Sequence, residues 1–214
     1  MRPLRPHPLV FLLLVTCGFA APRQHTVLLG RWRPVKLTRE DGSGEPLKVR
    51  QLVIDDKVRE YTAGNPHDIT DRVFVIRRAY RLNDALPDDT QTHPEWIWRL
   101  EGWISVDRQS GHVTLLNLPS FDPETSQAVW YRDYAAYCGP SDDGGKIYMV
   151  VFELGKRKPI LKKEVSAPGC PAPKWERHPS RVTFNIAGGK STFVVRARGA
   201  DLQTELPNED EGPE

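Results

Sequence analysis

The sequence lacks an apolar run long enough to cross a bilayer. Its most apolar stretch, Leu9 to Val15, has seven residues, whereas a transmembrane helix needs about 20. No later segment approaches that length. We therefore expect a chain that does not span a membrane.

Net charge is also nearly absent. The 30 basic and 28 acidic residues almost balance, which makes nucleic acid an unlikely class of partner. The acidic residues are unevenly placed, because six of them and no base fall in residues 201–214. Since this stretch is also poor in apolar side chains, we expect a disordered acidic tail over residues 201–214.

Cysteine is scarce, with three residues in the chain. One of them, Cys17, lies in the N-terminal segment discussed below, and an even pair remains in the body. In an oxidising compartment such a pair indicates a disulfide. We predict that Cys138 and Cys170 form it.

The N-terminus has the order of a secretory signal. Arg2 and Arg5 precede the apolar stretch, and small residues surround Ala20, which predicts a signal peptide over residues 1–20 and a secreted or periplasmic protein. A second interpretation stays open. Leu14 to Cys17 resembles a bacterial lipoprotein cleavage box, which implies a protein lipid-anchored through Cys17, although Thr16 departs from that pattern.

Strand signals dominate the rest of the chain. In residues 95–106 the apolar side chains alternate with polar ones, as expected of a strand with one buried face. We predict that Trp96, Trp98, Leu100, Ile104 and Val106 share that face. A turn at residues 107–111 and a partner strand at residues 112–118 complete a hairpin.

Further strands are predicted along the whole domain. Residues 130–138, 146–154 and 159–165 form a meander, and residues 181–186 and 191–197 form a last hairpin. Earlier strands are expected at residues 26–38, 47–54 and 58–62. Residues 72–82 fit both helical and strand spacing, but their β-branched and aromatic content favours a strand.

Helix signals are few, because only Asp122-Pro123-Glu124 has the capping pattern of a helix start. The sequence predicts an all-β fold, an antiparallel barrel or sandwich of about ten short strands with little helix. We expect a single β domain over residues 21–200. The polar loop from Asn83 to Pro94 is its best candidate for a mobile or binding loop.

No recognised catalytic motif is present. The histidines lack the three- or four-residue spacing of zinc ligands, and neither a nucleophile elbow nor a phosphate-binding loop is found. Asp142 and Asp143 are adjacent rather than alternating, which favours a turn over a calcium loop. The sequence thus predicts no catalytic residue, no metal site and no cofactor.

Two features suggest contacts with other molecules. Trp103 lies on the opposite parity from Trp96 and Trp98, so it is a candidate ligand-binding residue that stacks on a sugar ring or lines an interface; core packing is the competing interpretation. The lysines and arginines of residues 156–163 would suit acidic glycans or lipid head groups. Solvated edge-strand lysines explain them without a ligand.

Two resemblances follow from short segments. Gly30-Arg31-Trp32 and Asp133-Tyr134-Ala135-Ala136-Tyr137 resemble the lipocalin signatures, and that resemblance implies a barrel that carries a small apolar ligand. Arg132 departs from the pattern at the position of a threonine. The segment YRDYAAYCGPSDDGGKIY, followed by LGKRKPILKK, is similar to exported bacterial proteins of unassigned function, which implies no activity.

These observations favour a non-enzymatic exported β protein, either a binding module or an envelope-associated structural module. A lipocalin-like carrier of a small apolar ligand is the alternative, and a hydrolase built from scattered acidic residues and histidines is a third. The candidate partners are a small apolar ligand, a glycan and an envelope protein. The sequence alone does not choose among them.

Overall fold

A computed structural model describes residues 25–83, 96–165, 170–186, 189–196 and 199–203. This part of the chain contains no α-helix and fifteen strands, which confirms the all-β prediction with more strands than expected. The strands are β1 Val27–Leu29, β2 Arg33–Thr38, β3 Gly44–Ile54, β4 Lys57–Asp68, β5 Val73–Asn83, β6 Trp96–Asp107, β7 Val113–Leu116, β8 Val129–Tyr131, β9 Tyr134–Pro140, β10 Ile147–Glu153, β11 Leu161–Val165, β12 Lys174–Glu176, β13 Arg181–Ile186, β14 Gly189–Arg196 and β15 Gly199–Gln203.

The strands form three sheets. Sheet A has the order β1-β3-β2-β6-β5-β4, with β7 on β6 and a further pairing of β3 with β4. Sheet B has the order β11-β10-β9-β8, and sheet C the order β12-β13-β14-β15. Every pairing is antiparallel except that of β2 with β6, which is parallel at Leu37 and Trp98. The predicted antiparallel character is thus confirmed with one exception.

Five strands of sheet A close into a ring, because β2 pairs with β3, β3 with β4, β4 with β5, β5 with β6 and β6 with β2. All five contribute to one apolar cluster, so its side chains fill the inside of the ring. That cluster contains Val35, Leu47, Val49, Tyr61, Ala63, Ala79, Trp98 and Leu100. A second cluster of sheet A, which includes Leu52, Phe74 and Ile104, packs on the other face of the sheet.

Sheet B is the middle layer of the molecule. Ala135 and Tyr137 of β9 belong to a cluster shared with sheet A, whereas Ala136 and Cys138 belong to one shared with sheet C. Burial on both faces explains why β9 and β10 are nearly continuously apolar rather than alternating. Their alternation still decides which sheet each side chain contacts.

The predicted hairpins are confirmed. β6 pairs with β7, β9 with β10 and β13 with β14, and β11 completes the meander. Residues 73–83 form strand β5, so the choice of strand over helix there is also confirmed. An unpredicted turn at Arg132 and Asp133, where Arg132 has a φ of 51°, separates β8 from β9.

The prediction that Trp96, Trp98, Leu100, Ile104 and Val106 share one face is wrong. Arg77 pairs with Trp103 and Ala79 pairs with Leu100, so Arg78 alone opposes both Glu101 and Gly102. This β-bulge changes the parity of β6. Trp98 and Leu100 lie on the face of Trp103, and Ile104 lies on the other face.

Two further boundaries differ from the prediction. The chain at Asp122 forms a single turn and no helix. Residues 201–203 belong to β15, so sheet C extends three residues into the stretch expected to be a disordered tail. The predicted signal peptide with Cys17, the loop between Asn83 and Pro94 beyond residue 83, and residues 204–214 lie outside the described residues.

The predicted disulfide is confirmed. Cys138 and Cys170 are joined, with their Cα atoms 5.9 Å apart and 32 positions apart in sequence. Cys138 lies on β9 and Cys170 precedes β12, so the bond links sheet B to the segment that leads into sheet C. It adds a covalent connection to the packing between these two layers.

Candidate functional site

Residues 117–128, here called the bridging loop, connect β7 of sheet A with β8 of sheet B. Its N-terminal part packs on sheet B. The Tyr137 hydroxyl donates a hydrogen bond of 2.6 Å to the Pro119 carbonyl, and the Phe121 ring lies edge-on to the Tyr137 ring with their centroids 5.3 Å apart. Burial raises the pKa of Tyr137, so its hydroxyl stays protonated and donates.

Asp122 fixes the central turn of the bridging loop. Its carboxylate accepts hydrogen bonds from the Glu124 amide (2.9 Å), the Thr125 amide (2.7 Å) and the Thr125 hydroxyl (2.8 Å). The Ser126 hydroxyl accepts a bond of 3.0 Å from the Asp122 amide, and Ser126 is buried. These are the bonds of a helix cap, but β8 begins at Val129, before a helix can continue.

The C-terminal half of the bridging loop is tied to sheet A by arginines. The Arg77 guanidinium on β5 donates to the carbonyls of Pro123 (2.5 Å) and Ser126 (3.4 Å). The Glu124 carboxylate accepts a bond of 3.0 Å from the Glu40 amide and lies 3.8 Å from an Arg99 nitrogen. The loop is therefore held against both sheets.

A cavity of about 120 Å³ lies between the bridging loop and sheet A. We name it the Arg77 cleft. Its charged or apolar lining residues are Leu37, Arg39, Glu45, Arg77, Leu100, Pro123 and Glu124. Because β2, β5 and β6 belong to the closed ring and the loop is tied down, the walls of the cleft are preorganised.

Three of the four charged side chains that line the cleft have a charged partner. Arg39 lies 3.0 Å from Glu45, and Glu124 is held by Arg99 and the Glu40 amide. Arg77 differs, because within the described part of the chain it has no carboxylate at ion-pair distance and its buried Nε has no hydrogen-bond partner. Burial lowers the pKa of Arg77 to about 10, although the charge of Asp122 opposes this effect.

The arrangement is therefore suited to binding. At neutral pH Arg77 remains a cation, because its pKa still lies well above 7. A buried cation without a counter-ion loses solvation that carbonyl oxygens restore only in part. An anionic group in the cleft would restore it.

Trp103, the predicted ligand-binding residue, lies elsewhere. It packs in the cluster between sheets A and B, with its ring centroid 5.5 Å from that of Trp130. Trp130 in turn stacks on His67, with centroids 6.2 Å apart. The half-buried position of Trp103 favours the packing interpretation, and its role in ligand binding stays a prediction.

Asp142 and Asp143 lie in the turn between β9 and β10. Asp143 accepts hydrogen bonds from the Ser141 hydroxyl and the Gly145 amide, and these bonds lower its pKa. The side chain is thus occupied by its own turn. Over the described ranges, no group of three or more His, Cys, Asp or Glu side chains could hold a metal ion.

The basic run surrounds the edge strand β11. Lys162 donates to the Ser120 hydroxyl at 2.8 Å and its ammonium lies 4.4 Å from the centre of the Tyr148 ring. Lys156 lies 3.5 Å from Glu153. Lysines on a sheet edge discourage pairing with other chains, so the structure favours that interpretation of this run.

The residues with lipocalin-like motifs lie on two different sheets. Trp32 precedes β2 of sheet A, where it is 40% exposed and the Arg50 guanidinium lies 4.1 Å from its ring centre. Tyr134 and Tyr137 lie on β9 of sheet B.

As for membrane association, none of the described segments forms a helix long and apolar enough to cross a bilayer.

Arg77 was not singled out from the sequence. The only available signal was the pair Arg77-Arg78 inside the apolar stretch VFVIRRAY. Arg78 forms ion pairs with Glu60 and Glu101, whereas Arg77 reaches the bridging loop. A strand pattern cannot show this difference, because the partners lie 46 and 49 positions away.

The fold and the cleft define an all-β protein with a small polar cleft between a curled sheet and a loop. No protein-family model, curated protein or solved structure matches the chain. The geometry of the site therefore supplies the evidence on function.

Proposed function

We propose that this protein is a non-enzymatic exported binding module and that its binding site is the Arg77 cleft. The observation that carries the proposal is the half-buried guanidinium of Arg77, which lines the cleft without a carboxylate partner in the described structure. The surrounding charges are already paired. Arg77 differs from other partly buried arginines because it lines a cavity that a ligand can enter, and this combination supports a binding role.

The carboxylates of the cleft support binding over hydrolysis. A hydrolase that uses two acidic residues needs one to act as an acid or base and the other to act as a base or nucleophile. Glu45 is engaged by Arg39, and Glu124 by Arg99 and an amide. In each carboxylate these partners occupy Oε1, which suits a structural role.

The filled inside of the ring argues for a binding module and against a carrier of an apolar ligand. The ring of sheet A is the only closed arrangement of strands among those described, and apolar side chains from all five of its strands occupy the inside. A carrier needs empty, apolar space of roughly 300 Å³ or more. The Arg77 cleft is smaller and charged, and a second cavity of about 230 Å³, lined in part by Cys138, Gly139 and Ile147, is also below this size.

Export is part of the proposal. The disulfide is compatible with an oxidising compartment, and the N-terminal residues have the order of a secretory signal. We propose secretion or periplasmic residence, with a lipid anchor at Cys17 as the alternative. Mass spectrometry of the mature N-terminus distinguishes cleavage after Ala20 from acylation of Cys17.

The binding site is tested by a small-molecule fragment screen with amide chemical shifts as the readout. Fragments that bind should perturb Leu37, Leu100 and Gln127 in the unmodified protein. Leu37→Trp enlarges a buried side chain of the lining and should abolish these shifts, whereas Thr114→Trp, at an exposed position of β7, should leave them unchanged.

Three results would overturn this proposal. The first is that no fragment perturbs the amides of the cleft. The second is that the same fragments still perturb them in Leu37→Trp. The third is that a bound fragment is recovered chemically altered. The first two contradict the location of the site. The third contradicts a non-enzymatic role.

A further inference from the structure

We infer that the ligand of the Arg77 cleft carries a single carboxylate on a small, partly apolar group. This inference rests on the proposed function and names the chemistry of its ligand. It follows from the free donors of Arg77, the paired glutamates of the cleft and the two leucines beside them.

The donors of Arg77 are only partly used. A guanidinium has five N–H groups in one plane, and the carbonyls of Pro123 and Ser126 accept from its two terminal nitrogens. Nε is buried and has no partner among the described atoms, and each terminal nitrogen keeps one N–H group that these two bonds do not use. A carboxylate matches the spacing of the N–H groups on the two terminal nitrogens and accepts from both.

The guanidinium is also held in place before a ligand arrives. Its central carbon lies 4.8 Å from the centre of the Phe121 ring, and that ring packs on Tyr137. The two carbonyl contacts fix the same group from the bridging loop. Little side-chain freedom remains to be lost on binding, which favours affinity for a small ligand.

The glutamates of the cleft select among anions. Glu45 and Glu124 line the same cavity as Arg77 and are already paired with Arg39 and Arg99, so a second negative charge on a ligand would find no unpaired cation in the lining. A monocarboxylate brings one charge, which Arg77 neutralises. We therefore expect a carboxylate to bind more tightly than phosphate.

The size and walls of the cleft define the rest of the ligand. A cavity of about 120 Å³ is smaller than the sites that hold drug-sized ligands, so the rest of the ligand is small. Leu37 and Leu100 provide apolar contacts on the side of sheet A. A short branched carbon chain next to the carboxylate would fit this space.

The test uses isobutyrate, its neutral isostere isobutyramide and inorganic phosphate as probes of the full mature protein. Isobutyrate should shift the Leu37, Leu100 and Gln127 amides with a dissociation constant at least tenfold lower than that of either other probe. This comparison needs no variant, so it does not depend on whether a substitution folds.

Variants add a second test. Arg77→Gln should weaken isobutyrate at least tenfold and leave isobutyramide unchanged, and Arg77→Lys should recover part of the loss. Arg50→Gln is the matched control, because Arg50 is also a half-buried arginine that contacts no carboxylate among the described residues but lies outside the cleft. It should not change isobutyrate binding.

The outcomes separate the two proposals. Equal binding of isobutyramide, tighter binding of phosphate, or isobutyrate binding that survives Arg77→Gln would overturn the carboxylate inference while a ligand site in the cleft stands. If other fragments bind in the cleft but isobutyrate does not bind, the carboxylate inference is overturned in the same way. A cleft that binds no compound at all overturns the proposed function as well.

Discussion

Gly139 is the residue at which the bridging loop comes closest to sheet B. A Cβ atom at this position would lie 1.6 Å from the Ser120 carbonyl oxygen and 2.8 Å from its carbon. Ser120 itself has a φ of 54°, a conformation that few non-glycine residues adopt. The close approach therefore depends on the missing side chain and not on a flexible neighbour.

Gly139→Ala should lower the free energy of unfolding by about 2 to 3 kcal/mol, because the loop backbone must move to admit a methyl group. Urea denaturation of both proteins measures this loss. The displaced loop should also change the amide shifts of Ser126 and Gln127, which line the Arg77 cleft.

Gly145→Ala is the control for this substitution. Its Cβ would meet the Asp143 carboxylate at 3.6 Å or more, which is ordinary contact, so stability should change by less than about 0.5 kcal/mol. Equal effects of the two substitutions would show that the contact at Ser120 does not constrain the loop.

Single residues also show what spacing can and cannot predict. Cys138 and Cys170 were paired correctly, because two cysteines in an oxidising compartment leave one intramolecular choice. Arg77 could not be recognised as part of a site, since its neighbours Pro123 and Ser126 reach it only through the folded bridging loop. Trp103 was singled out by parity, and that parity depended on a regular strand.

Strand β6 is regular on both sides of Gly102 and irregular there. Glu101 and Gly102 together oppose Arg78, which places Leu100 and Trp98 toward the inside of the ring and Ile104 on the opposite face. One strand thereby contributes Trp98 and Leu100 to the cluster inside the ring and Ile104 to the cluster on the other face. In a regular strand these three even-numbered residues would lie on the same face and join a single cluster.

Deletion of Gly102 should remove the bulge and reverse the faces of residues 96–101 relative to Ile104. Because Trp98 and Leu100 would leave the ring, we expect a loss of about 3 kcal/mol or more in the free energy of unfolding. Thermal denaturation followed by near-ultraviolet dichroism of the tryptophans measures it.

Gly102→Ala is the control for this deletion, because it keeps the extra residue of the bulge and changes only the side chain. A Cβ at this position would lie 3.7 Å from Leu115 Cδ1, so this variant should retain nearly all stability. A deletion variant as stable as the alanine variant would contradict the importance of the bulge.

The three sheets stack as layers, with sheet B between sheets A and C. Each face of sheet B has its own apolar cluster, and the Trp175 indole of sheet C donates a bond of 2.9 Å to the Val129 carbonyl of sheet B. The disulfide adds a covalent link on the same side. Sheets B and C should consequently unfold together while it is intact.

Replacement of both cysteines, Cys138→Ala with Cys170→Ala, should lower the free energy of unfolding by about 3 to 4 kcal/mol, as expected for a closed loop of this length. Amide hydrogen exchange should accelerate more in β13 and β14 of sheet C than in β5 and β6 of sheet A. The reason is that the disulfide connects sheet B to the segment leading into sheet C and does not involve sheet A.

Reduction of the unmodified protein should reproduce the effect of the double variant. The Arg77 cleft should keep its amide shifts in both cases, because its lining residues do not belong to the apolar cluster between sheets B and C. Uniform acceleration of exchange across all three sheets would contradict separate roles for the layers.

The sequence by itself determined the class of fold, most of the hairpins and the disulfide. Period-two polarity, Gly and Asp turns and a pair of cysteines are local signals, and local signals fix strands and their nearest partners. The stretch from Trp130 to Leu154 is an example, since its turn residues and apolar runs predicted both strands of the hairpin.

Only the tertiary structure decided how the strands close, which faces are buried and where the charges meet. The β2–β6 pairing joins residues about 60 positions apart, and the bulge at Gly102 depends on what opposes it. Arg77 becomes part of a site because the bridging loop, fixed between two sheets, brings carbonyls and not a carboxylate to it. Long-range packing sets these relations, and no spacing within one segment encodes them.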